Sequence, residues 1–478
     1  MTVVVSSTSC TPPIEVTSGL SARLARHATA FDGRTLTPQV VHATQRAILD
    51  GLGVMLAASG ESPDVRPFEE WVQAQPGPPE ATLLGFNSRA SAVQAAMVNG
   101  AMAHALDYED AFDPAPLHPN ASLLPAALAT LESGARRCSG RELLTAVALG
   151  CDLVCRMGLS LQRPLEEGGW YPPPILGAFG ATLAAGRLAG LDARQLCDAW
   201  SLLLTQNSCP GEIKFSAEST LRAVREAFPA QAAVTSVQLA ARGVRGFDAP
   251  LEGKAAFYAL FARGEYDPGA LLDGLGERFW IEHLSFKRWP CCRGTHAYIE
   301  AAQCLRGAHG FAPCDIESVV CIGGNLQQML AEPRPQKQAP LTAIDAKFSI
   351  PFTVALALIH PEVTLSSFAE SQLRDPDLLS LARKCDFRLD PRAKSAAGGE
   401  LRVRLRDGRE ISHVVTRALG DPARPLSDAA LRKKFIHCAA RAANPIEPVR
   451  AARCADRILA LDAEPDAAVA LRAITRDH

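Results

Sequence analysis

The sequence predicts a mainly α-helical protein with a large all-helical part and a smaller α+β part. Apolar, Ala-rich helical patterns follow one another from about residue 17 to residue 280. Residues 314–324 and 400–415 then show the β-branched and alternating patterns that are typical of strands. After Gly420 the helical pattern returns. Because this tail, residues 421–478, is too short to be a stable domain alone, we expect it to pack against the first helical part.

Local signals place the ends of several elements. Thr37 followed by proline predicts a helix N-terminus, and Ser139, Asp192 and Ser427 are further expected N-caps. The dipeptide Asp407-Gly408, which divides two alternating segments, predicts a β-hairpin.

Composition excludes several classes of function. The 478 residues are 47% hydrophobic and 21% charged, as in an ordinary globular protein of two or three domains. Net charge is −2 and there is no basic stripe, so we expect no nucleic-acid partner. No signal peptide or run of about 18 apolar residues is evident, so we expect no membrane partner. The 14 scattered cysteines favour a cytoplasmic location with free, mostly buried thiols. Residues 1–16 are expected to be a disordered lead.

The richest chemistry lies in residues 99–128, between two Ala-rich helix patterns, one ending near Leu106 and one beginning after Pro125. Carboxylates and imidazoles between packed helices can have shifted pKa values and transfer protons. Solvated charges and helix caps in a turn are the alternative interpretation. His104, which lies on the apolar helix pattern, is expected to be a core histidine. The polar residues of this stretch are His104, Asp107, Glu109, Asp110, Asp113 and His118.

The segment NGAMAHALDYEDAF, followed by HPNASLLPAALA, resembles the signature of the MmgE/PrpD family. That family includes 2-methylcitrate dehydratases, cis-aconitate decarboxylases and an iminodisuccinate epimerase. Four further stretches resemble it: GWYPPPILGAFGATLAAGRLAGLD, GEIKFSAESTLRAVREAF, FKRWPCCRGTHAYIEA and APLTAIDAKFSIPFTVALAL. The resemblance implies a large helical domain, residues 17–280 and 421–478, beside a smaller α+β lid, residues 281–420. It also implies a homodimer.

The resemblance further implies which residues form the site. Substrates of the resembled enzymes are small di- and tricarboxylates, and negative charge builds next to a carboxylate during the reaction, so fixed positive charge is needed there. Asp107 and His118 are the expected acid/base pair, and Lys214 and Lys287 are the expected cations. The predicted catalytic residues are Asp107, His118, Tyr171, Lys214 and Lys287. The predicted substrate-binding residues are Arg288, Cys292, Arg293 and His296. No metal and no cofactor are expected.

Three positions depart from the decarboxylase-like members of the family. Tyr171 stands where both dehydratase- and decarboxylase-like relatives carry histidine. Ala111 stands where the decarboxylase-like members carry threonine, and Cys292 where they carry histidine. These changes argue against cis-aconitate decarboxylation and, less strongly, against a plain methylcitrate dehydratase. For Cys291-Cys292, a buried pair is favoured over a metal site or a catalytic thiol made acidic by nearby cations.

The predicted function is therefore a cofactor-free lyase that hydrates or dehydrates a small di- or tricarboxylate by proton abstraction next to a carboxylate. Epimerisation, another isomerisation or decarboxylation of a related acid are the alternatives within the family. From other classes, a metal-dependent hydrolase would use Asp107, Glu109, Asp110 and His118 as ligands. A non-catalytic binding protein on the same fold is the remaining alternative.

Overall fold

The computed structural model describes residues 19–134, 136–216, 218–393, 395 and 397–475. The lead that we expected to be disordered, residues 1–16, lies outside the described residues. As expected, the N-terminal part is helical throughout except for one small hairpin. Its helices are α1 Leu20–Ala30, α2 Pro38–Glu61, α3 Arg66–Gln73, α4 Ala92–Ala105, α5 Pro119–Glu132, α6 Gly140–Ser160, α7 Pro172–Ala189, α8 Ala193–Leu204, α9 Leu221–Val224, α10 Ala227–Ala241, α11 Phe257–Ala262 and α12 Pro268–Leu272.

Helices α4, α5, α6, α7 and α10 pack against one another and form the centre of this part. Small residues allow their close approach. A Cβ atom on Gly150 of α6 would lie 2.7 Å from the carbonyl oxygen of Gly180 in α7, so only glycine fits at this crossing. The N-caps expected at Thr37, Ser139 and Asp192 are present, each side chain accepting a backbone N–H of the first turn.

Helix α5 begins earlier than the sequence pattern indicated. It starts at Pro119, and Pro125 lies inside it instead of preceding it. A proline inside a helix costs about 3 kcal/mol. Every side chain of α5 except that of Glu132 is buried, so packing outweighs that cost.

The C-terminal part combines a four-stranded mixed sheet with helices. The strands are β3 Ile316–Gly323, β4 Cys385–Leu389, β5 Gly399–Leu405 and β6 Glu410–Val415, in the order β4-β3-β5-β6. The expected strand and hairpin are confirmed, and Val403 pairs with Ile411 across the hairpin. Its helices are α13 His296–His309, α14 Asn325–Gln328, α15 Arg334–Gln338, α16 Ala343–Lys347, α17 Ile350–Ile359, α18 Glu370–Leu373 and α19 Pro376–Arg383.

Two sheet features were not predicted. Strand β4 pairs in parallel with β3, and its sequence, CDFRL, alternates apolar and charged residues over only five positions. Strands β1, Ala81–Leu83, and β2, Ser88–Ala90, form a hairpin in which each strand has three residues. Elements this short carry too few residues to show a periodicity.

The tail contains helices α20 Asp428–Ala439, α21 Pro448–Leu459 and α22 Ala467–Thr475. The tail packs closely against the first helical part. Gly53 of α2 lies so near α20 that a Cβ atom added to it would be 3.2 Å from the Phe435 ring. By length and composition one helix among the described residues, α6, is apolar enough to cross a membrane. However, 89% of its apolar window is buried inside the protein, as a core helix would be.

Candidate functional site

The turn after α4 brings the acidic stretch to the middle of the molecule. Asp107 has a left-handed backbone, with φ of 48°, which aspartate tolerates better than most residues. Its N–H donates to the carbonyl oxygen of His104 at 2.7 Å, which ends the helix. The chain that follows carries Glu109 and Asp110, and it reaches His118 at the N-cap of α5. The carboxylates of Asp107, Glu109 and Asp110 are buried, so the interpretation of a solvated turn is wrong.

Glu109 lies at the centre of a buried polar network. Its Oε1 atom is 2.5 Å from Nδ1 of His104 and 2.9 Å from Nδ1 of His118. The ammonium group of Lys287 is 3.6 Å from the same oxygen and 2.6 Å from Oδ1 of Asp107. The structure therefore brings together three of the predicted catalytic residues, Asp107, His118 and Lys287. His104 is buried, as expected, and is a member of the same network.

The network has a defined pattern of charge. Burial lowers the pKa of Lys287, but the Asp107 and Glu109 carboxylates outweigh burial and hold the pKa above its ordinary value. Burial also disfavours ionised Glu109, yet the His104 ring, the Lys287 ammonium group and the His118 ring keep its pKa well below the usual range. Burial and the Arg225 guanidinium lower the pKa of His104 to about 3. Near neutral pH, Glu109 and Lys287 are therefore charged and His104 is neutral.

The contacts of His118 fix which ring nitrogen carries its proton. Nδ1 lies 2.9 Å from the carbonyl oxygen of Asp110 and 2.9 Å from Oε1 of Glu109. A carbonyl oxygen only accepts hydrogen bonds, so Nδ1 must be the donor. In the neutral ring, Nε2 then holds the lone pair. A ring held in this way by a carboxylate behind it is able to act as a base through Nε2.

His118 opens onto a cavity of about 710 Å³ between the helical part and the α+β part. Asp107 and Lys287 lie behind His118 and are not among the described residues that line this cavity. Arg288 is exposed and lies outside it, and His296 is buried and also lies outside it. The polar side chains that line the cavity include those of His118, Tyr171, Lys214, Arg222, Cys292 and Arg293.

Tyr171 is the N-cap of α7, as His118 is of α5, and each is followed by a proline at the first helical position. These two helices pack against each other. The first turn of α7 also lines the cavity, but Pro172, Pro173 and Pro174 have no N–H groups, so this helix end offers no backbone donor there. Lys214 Nζ lies 5.1 Å from the centre of the Tyr171 ring, and the guanidinium of Arg225 lies 4.9 Å from it.

The sequence analysis missed Arg222. Its guanidinium carbon lies 3.4 Å from the centre of the Phe348 ring, and the side chain is 6% exposed. Nε has no hydrogen-bond partner, and no carboxylate of the described residues forms an ion pair with it. An almost buried guanidinium without an acidic partner is a candidate carboxylate-binding group. Arg222 lies in a stretch that resembled the family, but nothing in its spacing distinguished it from other arginines.

Arg293, which we expected to bind substrate, is already engaged. Nε lies 3.1 Å from Asp113 Oδ2, and the two terminal nitrogens donate to the carbonyl oxygens of Leu419 and Ala418. Its hydrogen bonds attach the segment before α20 to the site. Its geometry therefore fits an anchor between segments better than a substrate ligand.

The thiols of Cys291 and Cys292 are not acidic. Burial raises the pKa of Cys291 to about 12 and that of Cys292 to about 11. His296 Nε2 donates to the carbonyl oxygen of Cys291, so it does not activate the neighbouring thiol. These observations agree with a buried pair and not with a thiolate nucleophile, although Cys292 lines the cavity.

Lys434 of α20 is a second buried lysine behind the site, and it was not predicted. Nζ lies 2.6 Å from Asp50 Oδ1 in α2. It also donates to the carbonyl oxygens of Tyr108, at 2.7 Å, and of Lys287, at 3.1 Å. The Lys434 side chain, which belongs to the tail, thus binds both the backbone next to Glu109 and the backbone of Lys287.

The same network contains a group of metal-ligand types. One nitrogen or oxygen atom from each of His104, Asp107, Glu109 and His118 lies within 4.8 Å of the others. The ammonium group of Lys287 already contacts both carboxylates, so a divalent ion would have to displace it. The arrangement therefore fits a carboxylate–lysine cluster better than the ligand set of a metal hydrolase.

The family model of the MmgE/PrpD N-terminal domain matches residues 22–268, and that of the MmgE/PrpD C-terminal domain matches residues 289–458. The chain belongs to the MmgE/PrpD family. The second match extends through α20 and α21, so the family's C-terminal domain model includes most of the tail.

Three relatives of this MmgE/PrpD protein cover most of its length. Cis-aconitate decarboxylase of Aspergillus terreus is 26% identical over 430 residues, which cover 84% of this chain and 86% of the relative. The cis-aconitate decarboxylase-like protein oryM of Aspergillus oryzae is 25% identical and covers 95% of this chain and 97% of its own. Human cis-aconitate decarboxylase is 25% identical, over 84% of this chain and 83% of the relative.

Ala111, Tyr171 and Cys292, the three positions that we expected to depart from decarboxylase-like members, all line the cavity. Nearby, burial and the Asp50 and Glu109 charges raise the pKa of Asp110 to about 7. The cavity is therefore lined by the oriented ring of His118, the phenol of Tyr171 and several cationic side chains.

Proposed function

We propose that this protein is a lyase that acts on a small carboxylate of the citrate or aconitate type, and that its first reaction is reversible elimination of water. The observation that carries the proposal is the orientation of His118, whose Nδ1 is held by the Asp110 carbonyl and the Glu109 carboxylate. Such a ring presents Nε2 as a general base. The names of the relatives support a lyase that acts on a tricarboxylate.

The residues divide the reaction between them. His118 Nε2 takes a proton from the carbon next to a carboxylate, and the electron pair moves towards that carboxylate. Arg222 and Lys214 stabilise the negative charge that develops. The electron pair then forms the double bond as the carbon–oxygen bond of the hydroxyl group breaks, and the phenol of Tyr171 supplies the proton that turns the hydroxide into water.

Asp107 and Lys287 act behind the cavity. Their ion pair keeps Glu109 ionised and in contact with His118, because Lys287 lies 3.6 Å from Oε1 of Glu109. An ionised Glu109 stabilises the protonated ring that forms when His118 takes the proton. In this proposal both residues position the base and do not touch the substrate.

Decarboxylation of an aconitate-type acid is the second candidate, favoured by the relatives that carry that name. In that reaction the substrate loses carbon dioxide, and the electron pair of the broken carbon–carbon bond remains on the substrate carbon. A proton must then be supplied to that carbon. Tyr171, which lines the cavity, is the available donor. Epimerisation would need only removal and return of a proton.

The test is proton NMR in D2O with a panel of citrate, 2-methylcitrate, cis-aconitate and malate, using metal-stripped protein and, separately, samples reloaded with Zn²⁺ or Mg²⁺. We expect a new alkene signal from one hydroxy acid in metal-stripped protein, and His118→Asn should abolish it. Carbon dioxide release would instead establish decarboxylation, and deuterium entry without alkene would establish epimerisation.

Two outcomes contradict the proposal. Turnover only in metal-loaded samples would favour a metal-dependent enzyme built on the His104–Asp107–Glu109–His118 group. Silence across the panel, with binding of the same acids by calorimetry, would favour a non-catalytic binding protein. The homodimer and the cytoplasmic location stay predictions, and light scattering that gives a particle near 50.9 kDa would contradict the dimer.

A further inference from the structure

The guanidinium group of Arg222 stacks on the ring of Phe348. Its central carbon lies 3.4 Å from the centre of the ring, which is van der Waals contact. Arg222 belongs to α9 in the helical part and Phe348 follows α16 in the α+β part, so the contact joins the two parts at the cavity that both residues line. Both residues are buried, and an aromatic face attracts a cation more strongly where water is excluded.

The stack leaves the hydrogen-bond donors of Arg222 free. An aromatic ring contacts the flat face of a guanidinium group, whereas the N–H bonds point outward in the plane of that group. A carboxylate partner would instead occupy those N–H groups as a fork. Arg222 has no such partner among the described residues, and its Nε forms no hydrogen bond. Its charge is therefore stabilised by a ring that takes none of its donors.

The acidic side chain beside the stack is engaged elsewhere. Asp345 lies in α16 three residues before Phe348, and residues three apart on a helix are neighbours. Lys337 Nζ lies 2.6 Å from Oδ1 of Asp345, and Gln336 Nε2 lies 3.2 Å from Oδ2. Burial lowers the pKa of Lys337, the Asp345 carboxylate opposes this, and the nearby Arg222 charge lowers it further. Both oxygens of Asp345 thus have a donor, and Asp345 is not available to Arg222.

The backbone around Phe348 is fixed on both sides. The N–H of Cys292 donates to the Lys347 carbonyl oxygen at 3.0 Å. The hydroxyl group of Ser349 donates to the carbonyl oxygen of Lys337. The ring is therefore a fixed support, and an arginine side chain that is already ordered on it loses little rotamer freedom when a ligand binds.

We propose that Phe348 is a positioning residue for Arg222. Its ring holds the guanidinium group at the cavity, and the Lys337–Asp345 ion pair keeps the adjacent carboxylate from neutralising that group. The N–H groups of Arg222 then stay free for one carboxylate of the substrate. This inference rests on the proposed function for the identity of the ligand, and it adds how the α+β part prepares a binding group of the helical part.

The first test is direct binding. Isothermal titration uses tricarballylate, a tricarboxylate that lacks the hydroxyl group of citrate and so cannot lose water. We expect Phe348→Leu to weaken its binding about tenfold, the loss of one desolvated cation–π contact, and Phe348→Tyr to bind like the wild type because the aromatic face remains. Phe352→Leu is the matched control, because Phe352 is buried in α17 and is not among the described residues that line the cavity. Circular dichroism confirms that the variants are folded.

A double-mutant cycle shows whether Phe348 acts through Arg222. Arg222→Met removes the cation, so Phe348→Leu should weaken binding no further in that background. A ring that merely fills space would instead cost the same affinity in both backgrounds. In kinetics on the acid identified by NMR, Phe348→Leu should raise KM about tenfold and change kcat by less than about twofold, because the base and the proton donor are untouched.

A second pair of variants tests the ion pair. Lys337→Gln leaves Asp345 without its cation, and we expect the carboxylate to pair with Arg222 and to weaken tricarballylate binding about tenfold. Adding Asp345→Asn to Lys337→Gln removes that carboxylate, so binding should return to within about twofold of the wild type. Neither Lys337 nor Asp345 is among the described residues that line the cavity, and a purely structural role of the pair would not be rescued by a second loss.

Each result has one meaning. Wild-type affinity in Phe348→Leu, or additive losses in the cycle, overturns the positioning role of Phe348 and leaves the proposed function intact. Failure of Asp345→Asn to rescue Lys337→Gln overturns the role of the ion pair. Binding with the expected pattern, but no turnover of any acid in the NMR panel, overturns the proposed function and leaves the positioning role. Absence of tricarballylate binding to the wild type overturns the carboxylate-binding role of Arg222 and this inference with it.

Discussion

Lys287 Nζ lies 2.6 Å from Asp107 Oδ1, and neither side chain is exposed to solvent. The two residues are 180 positions apart, one in the turn after α4 and the other in the segment between α12 and α13. Lys287 also donates to the carbonyl oxygen of Asp107, at 3.1 Å. A single ammonium group thus ties the strained turn to the start of the C-terminal part.

We predict that Lys287→Met destabilises the protein by about 3–5 kcal/mol, since it leaves the Asp107 and Glu109 charges buried without a cation. The measurement is urea unfolding followed by circular dichroism. Arg288→Met is the matched control at the next, exposed position, where a change within about 0.5 kcal/mol is expected. Equal destabilisation by the two substitutions would contradict the role given to Lys287.

Tyr171→Phe keeps the ring beneath Lys214 and Arg225 and removes only the hydroxyl group. We expect kcat to fall about 10²–10⁴-fold with a smaller change in KM, because the proton donor is lost while the substrate contacts remain. Steady-state kinetics on the acid identified by NMR measure this. Tyr266→Phe, at a tyrosine that stacks on Tyr258 away from the cavity, should leave kcat unchanged. An unchanged kcat in Tyr171→Phe would remove the phenol from the mechanism.

Arg222→Met should raise KM about 10–100-fold, since a hydrogen bond to a charged group contributes about 1.5–3 kcal/mol. Arg222→Lys keeps the charge but not the paired donors, so it should recover only part of the loss. Arg242→Met, at an exposed residue at the end of α10, is the control. If Arg222→Met binds substrate normally, the carboxylates must be held elsewhere.

The buried Asp110 carboxyl group is expected to make the folded protein less stable as pH rises. In the unfolded chain its pKa is near 3.9, whereas in the folded protein burial and the Asp50 and Glu109 charges raise it to about 7. The folded state binds this proton more tightly, so the stabilisation is complete below pH 4 and is lost as pH rises through 7.

We therefore predict that Asp110→Asn gains about 2–3 kcal/mol relative to the wild type between pH 5 and pH 8. Urea unfolding at the two pH values measures the difference. Asp377→Asn, at an exposed aspartate, should show no such trend. A constant difference between Asp110→Asn and the wild type would mean that Asp110 is ionised throughout.

The sequence predicted the parts of the fold whose signals are local. The caps at Ser139 and Asp192 and the hairpin at Asp407-Gly408 depend on neighbouring residues, and all three are present. Strand β4 depends on its pairing with β3, which lies more than 60 residues earlier, and it was missed.

The residues of the candidate site likewise divide into those with a local sequence signal and those without one. His118 and Tyr171 stood in recognisable motifs, and both line the cavity. Arg222 and Lys434 were missed because their importance comes from what they face, a cavity in one case and two backbone carbonyls in the other. Spacing along the chain does not show that an arginine lacks an acidic partner or that a lysine is buried.

The hydrogen bonds of Lys434 have a consequence for biosynthesis. The lysine follows Tyr108 by 326 residues and Lys287 by 147, so the ribosome releases it long after the segments that it holds. Until Lys434 has been synthesised, the Asp50 carboxylate lacks its cation. The hydrogen bonds from Lys434 to the backbone of Tyr108 and of Lys287 are also absent. The candidate site of the nascent protein must therefore remain incomplete until nearly the whole chain has emerged.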